Sequence, residues 1–335
     1  MNTTTTITGV AAAAAAGLLC FVVRADLPAA VTAAAHAKPL YLCAGLALAA
    51  CALLNQAALH AAAQRAAGQP VRAREVLVPV AAGGLLNAVV KSGAMAGMAP
   101  MVGNARRRNR STSAAVAGYL LVNVLGHLAF AVALSVALVL LAADGHFTRL
   151  DAVAATVFVV FSVLQLVVIG AAVRSRVTVR RLLDAPSRLR ARLRPGRRAA
   201  SDSRTDSSRH ADEIHDAVRL LVAHPRAALP AFGHAVLVEV IGMGELWCVL
   251  RSLGVDPGVA LPVIAYGVSV LFTIVGFMPG GFGIVEAGLG AILLSFGVAP
   301  GAVEAAVILY RVLELWIPLT AGVVAARMVA AEALR

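Results

Sequence analysis

Apolar residues along this chain come in long runs, and the loops between them alternate between basic and near-neutral. A helix needs about twenty consecutive apolar residues to cross the hydrocarbon of a bilayer. Runs that meet or approach this length lie at about 7–23, 39–60, 114–142, 152–173, 228–250, 259–275 and 303–329. Two further apolar stretches, 76–101 and 276–297, are interrupted by Gly and Pro. The pattern predicts an all-α polytopic membrane protein with about seven to eight transmembrane helices plus two interrupted segments, which we read as re-entrant. At the amino end MNTTTT lacks Lys and Arg, which favours a first span over a signal peptide.

The interrupted segments carry the most information. The first, VLVPVAAGGLLNAVVKSGAMAGMAPM, contains Pro79, Gly83, Gly84, Asn87, Lys91, Gly93, Gly97 and Pro100. Arg72 and Arg74 precede it, and Arg106, Arg107, Arg108 and Arg110 follow. A full crossing would leave one basic cluster outside, against the positive-inside rule, so a hairpin returning to the cytoplasm is expected. The second break reads GFMPGGFG, with Pro279, Gly280, Gly281 and Gly283 as helix breakers. In hydrocarbon a broken backbone survives only where protein or a water-lined cavity satisfies its peptide groups. Glu286, Glu304, Arg311 and Glu314 follow it. A breaker followed by buried charge is the pattern of a transport site, and two such segments in corresponding halves suggest an internal repeat. A short turn outside the membrane is the plainer alternative.

These marks divide the chain into an N-terminal membrane half, 1–173, a basic cytoplasmic loop, 174–227, and a C-terminal membrane half, 228–335. From Arg174 to Arg226 there are 14 Arg against 6 acidic residues. That composition predicts disorder, serving either to set topology or to dock on anionic lipid. Orientation of the carboxyl end stays open, since a return of 276–297 to the cytoplasm places it outside whereas Arg327 and Arg335 favour inside.

Composition removes other classes. At 60% hydrophobic, 14% charged and a mean hydropathy of +0.85, the chain carries more apolar surface than one soluble core hides. Its net charge of +12 suggests nucleic acid, but the charge sits between apolar runs, so anionic membrane lipid at the cytoplasmic face is the expected partner. Of 29 basic residues only Lys38 and Lys91 are lysine, an Arg and Ala bias fitting a GC-rich genome; the expected location is the cytoplasmic (plasma) membrane of a bacterium. Cys20, Cys43, Cys51 and Cys248 lie in apolar stretches without ligand spacing, so no metal site is expected.

Polar residues stand out within the runs, and Lys91, Asn123, His127, Glu239, Glu286, Arg311 and Glu314 are the candidates for binding a substrate. Tyr119, Asn123 and His127 form one helical stripe. Glu239 sits mid-span, where a carboxylate must face the bundle interior, while His234 and Glu245 share a different face. Arg311 needs carboxylate partners, with Glu314 and Glu304 on its own side of the helix and Glu286 or Glu239 able to approach from elsewhere. Lys91 either snorkels to the interface or meets a substrate phosphate. The chain contains no nucleophile elbow, P-loop, HExxH or paired-Cys motif, so neither a catalytic residue nor a cofactor is assigned.

The segment MPGGFGIVEAGLGAILLSFGVAPGAVEAAVILYRVLELWIPLTAG resembles the lysylphosphatidylglycerol synthase transmembrane, or flippase-like, family. The matching positions are Pro279, Gly281, Gly283, Glu286, Gly297, Val298, Arg311 and Gly322. Val285 departs from the pattern, because the family often has a basic residue there. The resemblance implies movement of a phospholipid or lipid-linked headgroup between leaflets. It comes without the soluble aminoacyl-transfer domain that some members carry after this region. A non-transporting scaffold or regulator of envelope lipid assembly is the second class, and an intramembrane enzyme the third.

Overall fold

The computed structural model describes residues 31–32, 35–90, 95–143, 225–275 and 281–333, with isolated helical positions between 156 and 167. The expected spans 7–23 and most of 152–173, nearly all of the basic loop 174–227, and Lys91, Pro279 and Gly280 lie outside the described residues. Among the described residues every regular element is helical. Four helices there are long and apolar enough to cross a membrane.

Three of these four pack together. Helix α1 (Pro39–Ala66) follows Lys38, with Pro at its first position, where a missing N–H costs nothing. It runs antiparallel to α5 (Leu229–Ser252), which a short 3₁₀ turn, Pro225–Ala228, leads into. The register is fixed at both ends. The Lys38 amide donates to the Ser252 carbonyl at 2.7 Å, and far down the pair Asn55 Nδ2 donates to the His234 carbonyl at 2.9 Å. The His234 ring returns a 2.7 Å contact to Asn55 Oδ1. Helix α4 (Thr112–Ala143) packs against both, through Leu59, Ala63, Leu125, Ala129, Ala231 and Ala235.

The first interrupted segment becomes two helices, α2 (Ala73–Val89) and α3 (Met98–Arg107), folded back on each other. Pro79 lies inside α2 and lacks the N–H that would bond the Glu75 carbonyl. Asn104 Nδ2 of α3 reaches that carbonyl at 3.3 Å, and the Arg110 guanidinium lies 2.7 Å from the Glu75 carboxylate. At the other end Gly97 lies against Gly83. Both outer ends of this hairpin are basic, and the end of α1 contributes Arg65, whose guanidinium holds the Val71 carbonyl at 2.9 Å.

The second interrupted segment folds back in the same way. Helix α6 (Ala260–Val275) meets α7 (Ile284–Ser295), with Gly281 beside Thr273 and Gly288 against Phe272. The turn into α7 runs through Gly283 at φ +79°, the left-handed region that a side chain would oppose. At 16 residues α6 is about 24 Å long, so 259–275 falls short of the ~30 Å hydrocarbon layer that an upright span must match.

The last span is one continuous rod with an irregular middle. Helix α8 (Pro300–Arg311) passes into a π turn, Val312–Trp316, and then α9 (Ile317–Ala333). Ile317 N–H bonds the Val312 carbonyl, and Pro318 has no N–H to offer Glu314. Helix α9 lies on α2, closely enough that a Cβ on Gly322 would meet Leu85 and the Ala81 carbonyl.

A cavity between the two halves

The packing of α1, α2, α5 and α9 leaves a cavity of about 960 Å³ between the N- and C-terminal halves. Most of its wall is aliphatic, as expected for a bundle with apolar faces. The polar exceptions come from separate elements: His60 and Gln56 of α1, Asn87 of α2, Tyr119 of α4, Glu239 and Glu245 of α5, Tyr266 of α6, and Glu314 of the π turn. Its rim includes Leu54 of α1 and Val324 and Met328 of α9, all exposed.

Each polar group is positioned by its element. Glu239 is buried and accepts a 2.9 Å hydrogen bond from the Tyr266 hydroxyl. Gly242, one turn on, makes room for that ring, since a Cβ there would run into it. Glu245 lies further along α5 and is also buried. The two carboxylates stand well apart around the α5 axis, and both reach the cavity because it wraps around that helix. On the opposite side Asn87 bridges the hairpin to α4. Its Oδ1 accepts from the Gly97 amide at 2.7 Å and its Nδ2 donates to the Tyr119 hydroxyl at 2.9 Å. The His60 and Tyr119 rings lie 5.5 Å apart.

Behind the cavity wall, Arg311 is buried between two carboxylates. Its Nε lies 2.8 Å from Glu286 Oε1, and its Nη1 donates to Glu314 Oε2 at 3.0 Å. The guanidinium also faces the Phe282 ring, 5.3 Å from its centroid. Glu286 enters from the first turn of α7, so the Gly281–Gly283 turn fixes where the lock closes. Glu314 serves both sites, since it pairs with Arg311 and lines the cavity.

The sequence candidates therefore separate. Glu239 and Glu314 reach the cavity, and Glu286 and Arg311 sit beside it with Glu314. Asn123 and His127 are half-buried and bond their own helix, at the Tyr119 carbonyl (3.0 Å) and the Asn123 carbonyl (2.7 Å). Of that stripe Tyr119 alone lines the cavity. Glu304 is exposed rather than paired with Arg311. His60, Asn87, Glu245 and Tyr266 were not singled out as binding candidates. Their signal was a lone polar side chain in an apolar run, which does not say which face it occupies.

Residues 7–322 match a family described as the lysylphosphatidylglycerol synthase TM region. No curated protein and no solved structure matches the chain.

Proposed function

This chain belongs to the lysylphosphatidylglycerol synthase transmembrane-region family, and on that footing we propose that it moves a phospholipid or lipid-linked headgroup across the cytoplasmic membrane. One observation carries the reading: a cavity whose largely aliphatic wall carries a set of polar groups from separate helices, rimmed by exposed Leu54, Val324 and Met328. A lipid needs both, a polar recess for its headgroup and an apolar edge along which its acyl tails stay in hydrocarbon. Helices α2–α3 and α6–α7 are then re-entrant hairpins that enter from opposite leaflets, an arrangement suited to alternating access. Arginines of the α1–α2 and α3–α4 connections face the cytoplasm and anionic lipid there. Arg311 orders the wall through Glu286 and Glu314 and reaches a headgroup only by releasing one of them.

The closing of Arg311 by two protein carboxylates favours a second reading, a non-transporting scaffold whose polar interior only fixes packing. Purified protein in liposomes separates the two. Fluorescent headgroup-labelled lipids in the inner leaflet become accessible to a membrane-impermeant quencher if the protein moves them. A panel of anionic, zwitterionic and cationic lipids, none of which moves faster than in protein-free vesicles, rejects transport.

A further inference from the structure

The charges around the cavity do not balance. Glu239, Glu245 and Glu314 line it and Glu286 stands behind it, whereas Arg311 supplies the guanidinium beside them. A carboxylate held away from water is costly unless hydrogen-bonded, paired or neutralised. Tyr266 serves Glu239, and Arg311 serves Glu286 and Glu314. Glu245 has no such arrangement. It is 4% exposed, faces the cavity, and among the described residues has no hydrogen-bond or ion-pair partner. His60, which lines the same space, holds a second and independent orphan: its Nδ1 atom is buried and without a hydrogen-bond partner among the described residues.

Among the described residues the elements packed on α5 bring no cation within ion-pair distance of Glu245. They present His60 from α1, Tyr119 from α4, Tyr266 from α6, Tyr310 and the doubly paired Arg311 from α8, and Glu314 from the π turn. Glu239 and Cys248 lie on α5 itself. Among the described residues no three His, Cys, Asp or Glu groups converge closely enough to hold a metal ion. A proton, which needs one oxygen and no coordination shell, fits this site.

We propose that Glu245 is a proton-binding site of the cavity, exchanging its proton with cavity water as the headgroup site loads and empties. The coupling to headgroup movement rests on the transport reading, whereas the proton site itself does not. Infrared pH-difference spectra of the full chain in liposomes test the site. Between mildly acidic and mildly alkaline buffer the wild type is expected to show a protonated-carboxyl stretching band. Glu245→Gln deletes that band, Glu245→Asp shifts its frequency, and Glu304→Gln, at an exposed position, leaves it. A band that survives Glu245→Gln at full size, or is unshifted in Glu245→Asp, overturns the assignment. Loss of the band in Glu239→Gln but not in Glu245→Gln overturns it too. Because Glu245→Asp keeps a carboxyl, loss of the band by misfolding is told apart from loss of the site. The lipid assay then runs with and without an imposed pH gradient. A gradient that speeds wild-type movement about tenfold, an effect of ~1.4 kcal/mol, and leaves Glu245→Gln indifferent supports coupling. Wild-type movement indifferent to the gradient overturns coupling. Absence of any lipid movement with the band intact removes the transport reading and leaves the proton site standing.

Discussion

The two folded-back segments share a shape and differ in what closes them. The α2–α3 hairpin is tied near its tip by neutral groups, with Asn87 bridging the Gly97 amide and the Tyr119 hydroxyl. The α6–α7 hairpin is tied by charge, through Glu286 in the first turn of α7 and Arg311 at the end of α8. Neutral hydrogen bonds in a low-dielectric setting give a modest net stabilisation and are costly to leave half-made. A buried guanidinium gains little over an apolar replacement while paired, and becomes a heavy penalty when a partner is lost. The first tie therefore tolerates conservative change, and the second behaves as an all-or-none element.

The largest expected effect is on the charged tie. Arg311→Leu strands Glu286 and Glu314 together and is expected to cost about 3–5 kcal/mol of stability. Thermal unfolding in detergent, read as loss of a monodisperse chromatographic peak, checks it. Replacing Arg311 and Glu314 alone leaves Glu286 unpaired, so the informative rescue is the triple change Arg311→Leu, Glu286→Gln, Glu314→Gln. Recovery of most of the lost stability shows that pairing, and not the guanidinium itself, holds the hairpin. A triple variant as unstable as Arg311→Leu breaks the comparison.

The neutral tie comes next. Asn87→Ala leaves the Gly97 amide without its acceptor and the Tyr119 hydroxyl without that donor. The cost expected for a buried group left unsatisfied is about 1–3 kcal/mol. Asn87→Asp keeps the acceptor for Gly97 and falls between Asn87→Ala and wild type. An Asn87→Ala loss equal to that of Arg311→Leu would erase the distinction between the two ties.

How far the sequence reached follows from the same contrast. The helical state of the long apolar runs, both interruptions and the pairing of Arg311 with Glu314 were legible because apolar runs, breakers and i,i+3 spacing are local. Glu286 as the second partner was named only among several approaching groups. Its place depends on a Gly-rich turn whose angle the sequence does not state. Asn87 lay in plain view inside the first interruption, yet its partners Gly97 and Tyr119 are brought by other helices. Glu245 was seen as a polar position on α5, but helical phase against His234 pointed to one face. His234 spends itself on Asn55, and the cavity curves far enough around α5 to take Glu239 as well. Periodicity gives directions around one helix, not the shape of the space between several.

A third change tests a neutral contact in the charged half. Gly242→Ala drives a methyl into the Tyr266 ring and displaces its hydroxyl from Glu239. Overpacking of this kind is expected to cost about 1–3 kcal/mol. Tyr266→Phe removes the same hydrogen bond without the clash and should cost less. If the two variants unfold together, the hydroxyl rather than the fit sets the effect, and Glu239 belongs with the charged tie.

The smallest effect is expected at the basic rim, where Glu75 and Arg110 clasp the open end of the α2–α3 hairpin at 2.7 Å. Both side chains are partly exposed, so solvent and salt screen the pair, and exposed pairs contribute little. Its pH dependence has a definite sign. The hydrogen bond from Arg110 holds the Glu75 carboxyl below its ordinary range. A carboxyl with a depressed folded-state value stabilises above its unfolded value, near about 4.3, and that contribution fades as pH falls through the folded value. Glu75→Gln should therefore match wild type in strongly acidic buffer and differ slightly at neutral pH, with the difference shrinking in high salt. Unfolding midpoints of the two proteins across an acid series, at low and high salt, decide the matter. A difference that persists in acid or resists salt would show that the charge pair with Arg110 is not its source, since the Asn104 bond to the Glu75 carbonyl is kept by both proteins.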